Sequence, residues 1–326
     1  MELLTNSRMK VARLCLRKDL YSYQLGYRPA VTDDNLRFGT LAHLGLEAWF
    51  GAAMRGEANR LGAALTALDG EADPFERVRA EEMLRGYDAR WRDEPMDVLA
   101  VEVRFEAALT NPETGAPSKT WRLAGKLDAV IRDAHGRTLI VEHKTSSEDI
   151  GQGSDYCRRQ RMDGQISTYY EGARTLGHDV EGCLYDVLGK PGIRPFKATP
   201  IDARKFTKDG RLYANQHAED ETPEEFRLRV CEAIATDPNR YFQRGEVVRL
   251  EGEMREHLTD IWQFGQGLRD WVRMGRAPRN PDACVYFGKT CSFFPVCTGE
   301  ASLDDTTRFV KFNTAHPELA PAPDGA

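Results

Sequence analysis

The stretch "GKLDAVIRDAHGRTLIVEHKTSS", residues 125–147, contains two alternating apolar runs separated by turn-forming residues. Alternation of apolar and polar side chains is typical of β-strands, so we predict an antiparallel hairpin here. If residues 134–136 form its loop, with Gly136 in the left-handed conformation, the numbers of paired residues sum to 270. That register places the carboxylates of Asp128 and Glu142 opposite each other on one face of the sheet.

Facing carboxylates repel each other and need a cation between them. Lys144, two residues after Glu142 on the same face, could supply that charge as part of a surface triad. A divalent metal ion is the alternative, because Mg²⁺ prefers carboxylate oxygens and retains bound water. In that case Lys144 would hold or deprotonate the attacking water, or stabilise the developing negative charge.

The remaining periodicity predicts an α/β fold with additional helices. Helical spacing, N-caps and terminal glycines predict helices over residues 7–26, 38–54, 75–92, 163–177, 222–235 and 250–274. We expect Thr40 to be the N-cap of the second helix. Alternation predicts an antiparallel meander over residues 96–145 and one more strand over 182–190. The Pro- and Lys-rich stretch at 190–220 is predicted to be a long loop or a small insertion.

The composition is typical of a soluble globular protein with a sizeable core, because 41% of the 326 residues are hydrophobic and 29% are charged. The first twenty residues contain seven charged side chains, and no uninterrupted apolar segment follows them. We therefore predict no signal peptide, no membrane span and a cytoplasmic location.

The net charge of −6 argues against nucleic-acid binding only as an average. Residues 190–211 contain seven basic and two acidic side chains, and Arg158, Arg159 and Arg161 form a second basic cluster. These segments are either solvated surface or contacts for a phosphate backbone. In the second case, aromatic side chains such as Tyr169, Tyr170 or Phe196 would stack on bases.

The segments "GKLDAVIRD" and "LIVEHKT" resemble the paired acidic motifs of the PD-(D/E)XK nuclease superfamily. "FGTLAHLGLEAW" is similar to the Gly-Thr-x-x-His helix of its RecB-like branch, and "GQISTYYEGA" to the Gln-x-x-x-Tyr helix of that branch. The resemblance implies a restriction-endonuclease-like core, in which helices flank a mixed central sheet.

The same resemblance implies a set of site residues for a Mg²⁺ or Mn²⁺ ion. Its metal ligands would be His43, Asp128, Glu142 and the backbone carbonyl of His143. Its catalytic residues would be Asp128, Glu142, Lys144, Gln165 and Tyr169, the last two contacting DNA or orienting the site. Each has an ordinary alternative: His43 could pair with Glu47 one turn later, and Gln165 and Tyr169 could be helix surface.

Seven cysteines, an odd number, do not suggest a disulfide set in a reducing compartment. Cys284, Cys291 and Cys297 fall within fourteen residues, whereas three of the others are scattered. Three thiolates leave a four-thiolate site incomplete, and the gaps differ from the short pairs of zinc sites.

The cysteine segments "LCLRKDLYSYQLG" and "CVYFGKTCSFFPVC" resemble those of RecB-like nucleases with an iron–sulfur cluster, such as AddB-type and CRISPR-associated members. The resemblance implies that a 4Fe-4S cluster joins the N- and C-terminal regions as a structural staple. The six-residue gap after Cys284 is longer than in those relatives, and a turn at 287–289 would absorb it. Zinc remains the alternative metal. The implied cluster ligands are Cys15, Cys284, Cys291 and Cys297.

The resemblance implies one RecB-like nuclease domain over residues 1–302, and the sequence after it predicts a flexible tail at 303–326. Within it we expect a core at 36–190, an insertion and helical region at 190–275, and the cysteine cluster formed by residue 15 and 284–297.

The resemblance implies a stand-alone, phage-type DNA exonuclease that acts on DNA ends or single strands in recombination, repair or DNA processing. No phosphate-binding loop is present, so we expect no helicase motor in this chain. The expected protein partners are a helicase, a recombinase or a CRISPR-type protein. The alternatives are a catalytically weak DNA-end-binding or assembly subunit and a zinc-stapled hydrolase of another class.

Overall fold

A mixed β-sheet forms the centre of the computed structural model, which describes residues 1–31, 34–286 and 288–320. In this part of the chain the sheet has six strands, in the order β1-β4-β5-β6-β7, with β3 on the other side of β4. The strands are β1 (Glu2–Thr5), β2 (Tyr27–Pro29), β3 (Met96–Thr110), β4 (Pro117–Asp133), β5 (Thr138–Ser146), β6 (Gly182–Gly189), β7 (Phe242–Val247), β8 (Val285–Tyr286), β9 (Lys289–Thr290) and β10 (Phe309–Lys311).

Helices cover both faces of this sheet. They are α1 (Asn6–Leu14), α2 (Leu16–Asp19), α3 (Asp34–Met54), α4 (Arg60–Thr66), α5 (Pro74–Trp91), α6 (Asp155–Gln160), α7 (Gly164–Thr175), α8 (Pro223–Thr236), α9 (Pro238–Tyr241), α10 (Glu251–Met274) and α11 (Phe294–Thr298). A π-helical turn spans Leu20–Gln24, and 3-10 turns span Ile201–Ala203, Pro281–Ala283 and Pro317–Leu319.

The strand alternation of β5 separates two of the hydrophobic cores, which lie on opposite faces of the sheet. Ile140 packs with α1, α7 and α10 on one face of the sheet. Leu139 and Val141 pack with α3, α4, α5 and α8 on the other face. Because side chains alternate along a strand, Glu142 shares the α7 face, whereas His143 points towards α3. The two sides of the sheet therefore receive different functional groups from adjacent residues.

The predicted helices at 75–92, 163–177, 222–235 and 250–274 are confirmed to within two residues. Their ends follow from local chemistry. The Asp73 carboxylate accepts hydrogen bonds from the first amides of α5, and Thr222 and Glu225 form a capping box at the start of α8. Helix α10 ends at Gly275, whose φ of +62° is accessible to glycine at little cost.

Two predictions about the N-terminal helices were wrong. The expected first helix is interrupted at Cys15, whose extended backbone separates α1 from α2. The second helix begins at Asp34, so Thr40 lies inside α3 and is not its N-cap. The long loop predicted at 190–220 is confirmed, apart from one 3-10 turn and a single bridge between Phe206 and Leu212.

The boundaries of the core and of the tail were also misplaced. Strands β1 and β7 belong to the central sheet but lie outside the predicted core at 36–190. Residues 303–326 were expected to form a flexible tail, yet β10 pairs antiparallel with β2, and Phe309 and Leu319 are buried. Apolar side chains at these positions are excluded from water, which fixes this segment against the domain. Residues 321–326 lie outside the described residues.

Candidate metal and catalytic centre at the sheet edge

Strand β4 changes partner along one of its edges, and the candidate site lies at this change. Residues 121–124 pair in parallel with β1, whereas residues 129–132 pair antiparallel with β5. Residues 125–128 between these two ladders pair with neither of those strands. Asp128 is the last residue of this gap, and α1 begins directly after β1 at Asn6. The gap opens the sheet edge to polar side chains.

The predicted register of the hairpin is confirmed. Ala129 pairs with Val141 and Arg132 with Thr138, so the residue numbers sum to 270, and Gly136 has a φ of +80°. The regular pairing ends at Ala129 and Val141, so Asp128 and Glu142 lie just beyond it. The carboxylate Oδ2 of Asp128 instead accepts a hydrogen bond of 2.8 Å from the backbone N–H of His143. The backbone of β5 therefore orients Asp128 without placing the two acids in a ladder pair.

Glu142 is the most buried acid of the site, with 1% of its surface exposed. Its Oε1 accepts hydrogen bonds from Lys144 Nζ and, at 2.7 Å, from Gln165 Nε2. Its Oε2 is buried and has no hydrogen-bond partner among the described residues. Burial raises the pKa of Glu142 to about 7, with Asp128 adding to the effect and Lys144 opposing it.

Lys144 is held between two acceptors of this network. Besides Glu142, its Nζ donates to Gln165 Oε1 at 3.1 Å. Burial alone would lower the pKa of Lys144, but the charges of Glu142 and Asp128 outweigh burial and raise it. The side chain is therefore a cation at neutral pH, suited to hold a water or stabilise a developing anion.

Helix α7 supplies the two remaining members of the network. Gln165 Nε2 lies 2.8 Å from Tyr169 OH, one turn further along the helix. Burial raises the pKa of Tyr169 well above its usual range, so its phenol is neutral. Only 7% of Tyr169 and 3% of Tyr170 is exposed, which contradicts the expectation that they stack on bases. These contacts favour an orienting role for Gln165 and Tyr169.

His43 reaches the site from α3. Its Nδ1 lies 3.9 Å from Asp128 Oδ2, so the structure places this imidazole beside Asp128 and not in an ion pair with Glu47. Burial lowers the pKa of His43, and the charge of Asp128 only partly offsets this. A neutral imidazole is the form that can bind a metal ion.

His143 has a different environment on the opposite face. Its imidazole is buried, and Nδ1 lies 3.4 Å from Asp186 Oδ2 on β6. Asp186 also accepts a hydrogen bond from Tyr87 OH and another, of 3.2 Å, from Arg244. We name His143, Asp186, Arg244 and Tyr87 the buried ionic network. It anchors the residue whose backbone N–H orients Asp128.

Sequence patterns missed several neighbours of the site. Asn6 Nδ2 donates to Gln165 Oε1 at 3.2 Å, and nothing in the sequence around it indicates this contact. Glu102 on β3 forms an ion pair with Lys126, and its φ of +50° is unusual for a non-glycine residue. Burial, followed by the charge of Asp128, raises the pKa of Glu102 to about 7. In the sequence, Glu102 is distinguishable only as an acid within an alternating strand.

A divalent ion requires several oxygen or nitrogen donors arranged around one point. Carboxylate oxygens and a neutral imidazole suit Mg²⁺ or Mn²⁺. The unpartnered Oε2 of Glu142 is a buried acceptor that a cation would satisfy. Within the described ranges, no three His, Cys, Asp or Glu side chains are grouped so that they could hold an ion as they stand. The chemistry of the residues fits a metal ion, and binding requires His43 and the two acids to converge.

The four cysteines singled out in the sequence line one small cavity. Cys15 comes from the interruption between α1 and α2, and Cys297 from α11. The hairpin of β8 and β9 brings Cys284 and Cys291 together, with the Cys291 N–H donating to the Cys284 carbonyl at 2.8 Å. Gly288 turns this hairpin with a φ of +72°, whereas Phe287 of the predicted turn lies outside the described residues. The long gap therefore does not separate these thiols.

A mixed sheet that places two acids, a lysine and a glutamine at a broken edge has side chains of the kind used in metal-dependent hydrolysis of phosphodiesters. A sequence model of the PD-(D/E)XK nuclease superfamily matches residues 4–298, so the chain belongs to this superfamily. Membership implies a metal-dependent nuclease, typically with Mg²⁺ or Mn²⁺, and DNA as the substrate.

Other comparisons are less informative. A solved structure described as "Crystal structure of SSO0001" shares 14% identity over 90% of this chain and 98% of that chain, with a TM-score of 0.30. At that score the similarity carries no argument. No curated protein matches the chain. In the described part of the chain, no helix combines the length and the apolar character needed to cross a membrane.

Proposed function

We propose that this chain is a metal-dependent DNA exonuclease of the RecB-like branch, acting on DNA ends or single strands. The observation that carries the proposal is the buried Glu142 carboxylate, which has one oxygen on Lys144 and Gln165 and the other without a partner, beside Asp128. Most buried acceptors in proteins have a hydrogen-bond partner, and a bound cation would satisfy this one.

Each side chain has a role that follows from its contacts. Asp128, Glu142, His43 and the His143 carbonyl would hold the metal ion, which supplies an activated water and neutralises charge on the phosphate. Lys144, as a cation, would donate to the attacking water or to a phosphate oxygen. Gln165 would fix Lys144 and Glu142 relative to each other, and Tyr169 would fix Gln165.

The side chains predicted from the sequence to contact the DNA backbone and bases are less available for this than expected. Of the two basic segments, Arg158 and Arg159 form exposed ion pairs with neighbouring acids, which weakens their attraction for phosphate. Phe196 is stacked on His217 at 4.1 Å and lies under the guanidinium of Arg229, so it is not free to stack on a base. We further propose that the protein partner of this chain is a helicase, a recombinase or a CRISPR-type protein.

Cleavage of labelled DNA tests this function. Linear single strands labelled at the 5′ or 3′ end, and a circular single strand, are incubated with Mg²⁺ or Mn²⁺. We expect stepwise degradation of the linear strands and an intact circle. Asp128→Ala and Lys144→Ala should lower the rate by about 10²-fold or more. Lys119→Ala, an exposed lysine on the same strand as Asp128, is the matched control. If the wild type cuts nothing with either metal, the chain is a DNA-end-binding or assembly subunit.

We include a 4Fe-4S cluster in this proposal because four thiols and no acid line the cysteine cavity; these thiols, like the acids, must converge to bind it. Anaerobically purified protein should be brown, with about four irons per chain. Cys15→Ser should remove the iron, whereas Cys231→Ser, at an exposed cysteine outside the cavity, should retain it. A colourless protein containing zinc would support the zinc-stapled alternative.

A further inference from the structure

The first two helices carry a charge pattern that the catalytic centre does not explain. From Asn6 to Lys18 the chain has five basic residues and no acidic residue, although its net charge is −6. Asp19, which ends α2, is buried and paired with Arg8. Lys10 and Arg13 are exposed on α1, and Asn6 at the start of the helix donates to Gln165 of the catalytic network. At 1.5 Å per residue, Arg13 lies about 10 Å along the axis from Asn6. Helix α1 thus forms a basic path that begins at the site.

A groove lies at the far end of this path, between α1 and the last turns of α10. Its volume is about 400 Å³, and Arg13, Phe264, Trp271 and Arg279 are among its lining residues. The Arg13 guanidinium lies 5.1 Å from the centre of the Phe264 ring, and Trp271 is 37% exposed. Gly267 lies between the two aromatic residues, and a Cβ there would meet no atom within 4 Å. The groove is therefore open, partly aromatic and flanked by cations.

We propose that this groove, here named the α1/α10 groove, binds a nucleobase of the single DNA strand whose phosphate is cleaved, a few nucleotides from the cleaved bond. The proposal rests on the nuclease function proposed above. Aromatic platforms beside guanidinium groups bind single strands without reading their sequence, because every base can stack. Arg13 and Arg279 supply charge complementary to the flanking phosphates.

Other exposed aromatic side chains are less suited to this role. Phe206 and Tyr213 lie in the loop at 190–220, where no described contact connects them to Gln165 or Lys144. Several acids near this surface lie beside basic groups: Asp270 is paired with Arg269, Asp163 Oδ1 lies 3.7 Å from Lys10 Nζ, and Asp260 lies near His257 on the preceding turns of α10. The α1/α10 groove alone combines continuity with the catalytic network, cations and an accessible indole among these surfaces.

The first test compares Trp271→Ala with Trp271→Phe. Binding of a fluorescein-labelled oligothymidylate of twelve residues is measured by anisotropy in Ca²⁺, and its cleavage is measured in Mn²⁺. We expect Trp271→Ala to weaken binding and raise KM by about 5- to 150-fold, the range of one base–aromatic stack. Its kcat should stay within about twofold, because the contact is the same in ground and transition states. Trp271→Phe should recover most of the affinity, and Phe206→Ala is the matched control.

The second test fills the groove without removing a contact. Gly267→Leu places a side chain in the open space, whereas Gly267→Ala adds only a methyl group and should stabilise the helix. We expect the leucine variant to lose affinity and the alanine variant to bind like the wild type. Arg13→Ala should reduce the slope of log Kd against log salt by about 0.7.

The outcomes separate the groove from the nuclease function. If the wild type cleaves DNA while Trp271→Ala and Gly267→Leu bind like the wild type, the groove proposal is overturned and the nuclease proposal stands. The same conclusion follows if Phe206→Ala alone weakens binding. If the wild type neither binds nor cleaves, both proposals fail. Should a melting curve show that Trp271→Ala is unfolded, the Gly267 pair decides.

Discussion

Removing the charge of Asp186 should reveal what the buried ionic network does. Asp186 is 1% exposed, accepts hydrogen bonds from Tyr87 and Arg244, and lies 3.4 Å from His143 Nδ1. Asp186→Asn keeps the shape of the side chain but leaves the Arg244 guanidinium, itself 6% exposed, without its buried counterion. Glu94, the other acid on Arg244, is 43% exposed and therefore a weaker partner.

The magnitude follows from the burial of both partners. Removing one member of a buried ion pair costs about 3–5 kcal/mol, because the remaining charge stays desolvated. For a chain of this size each kcal/mol shifts the melting temperature by about 2 °C, so we expect a decrease of about 6–10 °C. The same change loosens His143, whose N–H orients Asp128, so cleavage should fall by about tenfold or more.

The assay is thermal unfolding followed by circular dichroism at pH 8, together with the cleavage rate. The double variant Asp186→Asn/Arg244→Met is the control, since it removes both buried charges. It should be more stable than Asp186→Asn alone. A melting temperature within 2 °C of the wild type for Asp186→Asn, or a double variant less stable than the single one, would refute the reasoning.

Three further predictions test the surroundings of the site. Gly125→Ala should destabilise the protein by about 1–3 kcal/mol, because its Cβ would lie 2.7 Å from the Phe105 ring; urea unfolding measures this. Thr222→Ala should cost about 0.5–2 kcal/mol by removing the capping box of α8, with no change in cleavage. The pKa of Glu102 is raised to about 7 in the folded protein, above its value of 4.5 in the unfolded chain. Between these two pH values the folded state binds more protons than the unfolded state. The contribution of Glu102 to stability therefore decreases as the pH rises from 4.5 through 7. Glu102→Gln should therefore gain stability relative to the wild type at pH 8 but not at pH 4, and identical pH profiles in urea would contradict this.

Local patterns were sufficient for the hairpin and the capped helices. The register of β4 and β5 follows from alternation and from one glycine that adopts a left-handed turn. The start of α8 follows from Thr222, Pro223 and Glu225, which are adjacent in sequence. In these cases the residues that determine the structure are within a few positions of it, so periodicity and turn chemistry contain the necessary information.

Pairings between distant segments were not predictable in this way. The partner change of β4, which leaves Asp128 in a gap, requires β1 from the other end of the domain. The contact of Asp186 with His143 depends on β6 lying parallel to β5, and the contact of Asn6 with Gln165 depends on α1 packing beside α7. No local signal specifies such neighbours, because they result from packing of the whole sheet.

The gap in β4 explains why the acids of this site tolerate such burial. A continuous ladder would satisfy every backbone group near Asp128 and leave no space for polar side chains at the sheet edge. Because β1 ends at Thr5 and the β5 ladder begins only at Ala129, the His143 N–H is free to donate to a carboxylate instead of a carbonyl. The Asp128 carboxylate thus takes the place of a missing strand partner, and Asn6, which follows β1 directly, contacts Gln165. The location of Asp128 is therefore a consequence of the strand pairing, because its carboxylate lies where the sheet leaves a backbone N–H without a strand partner.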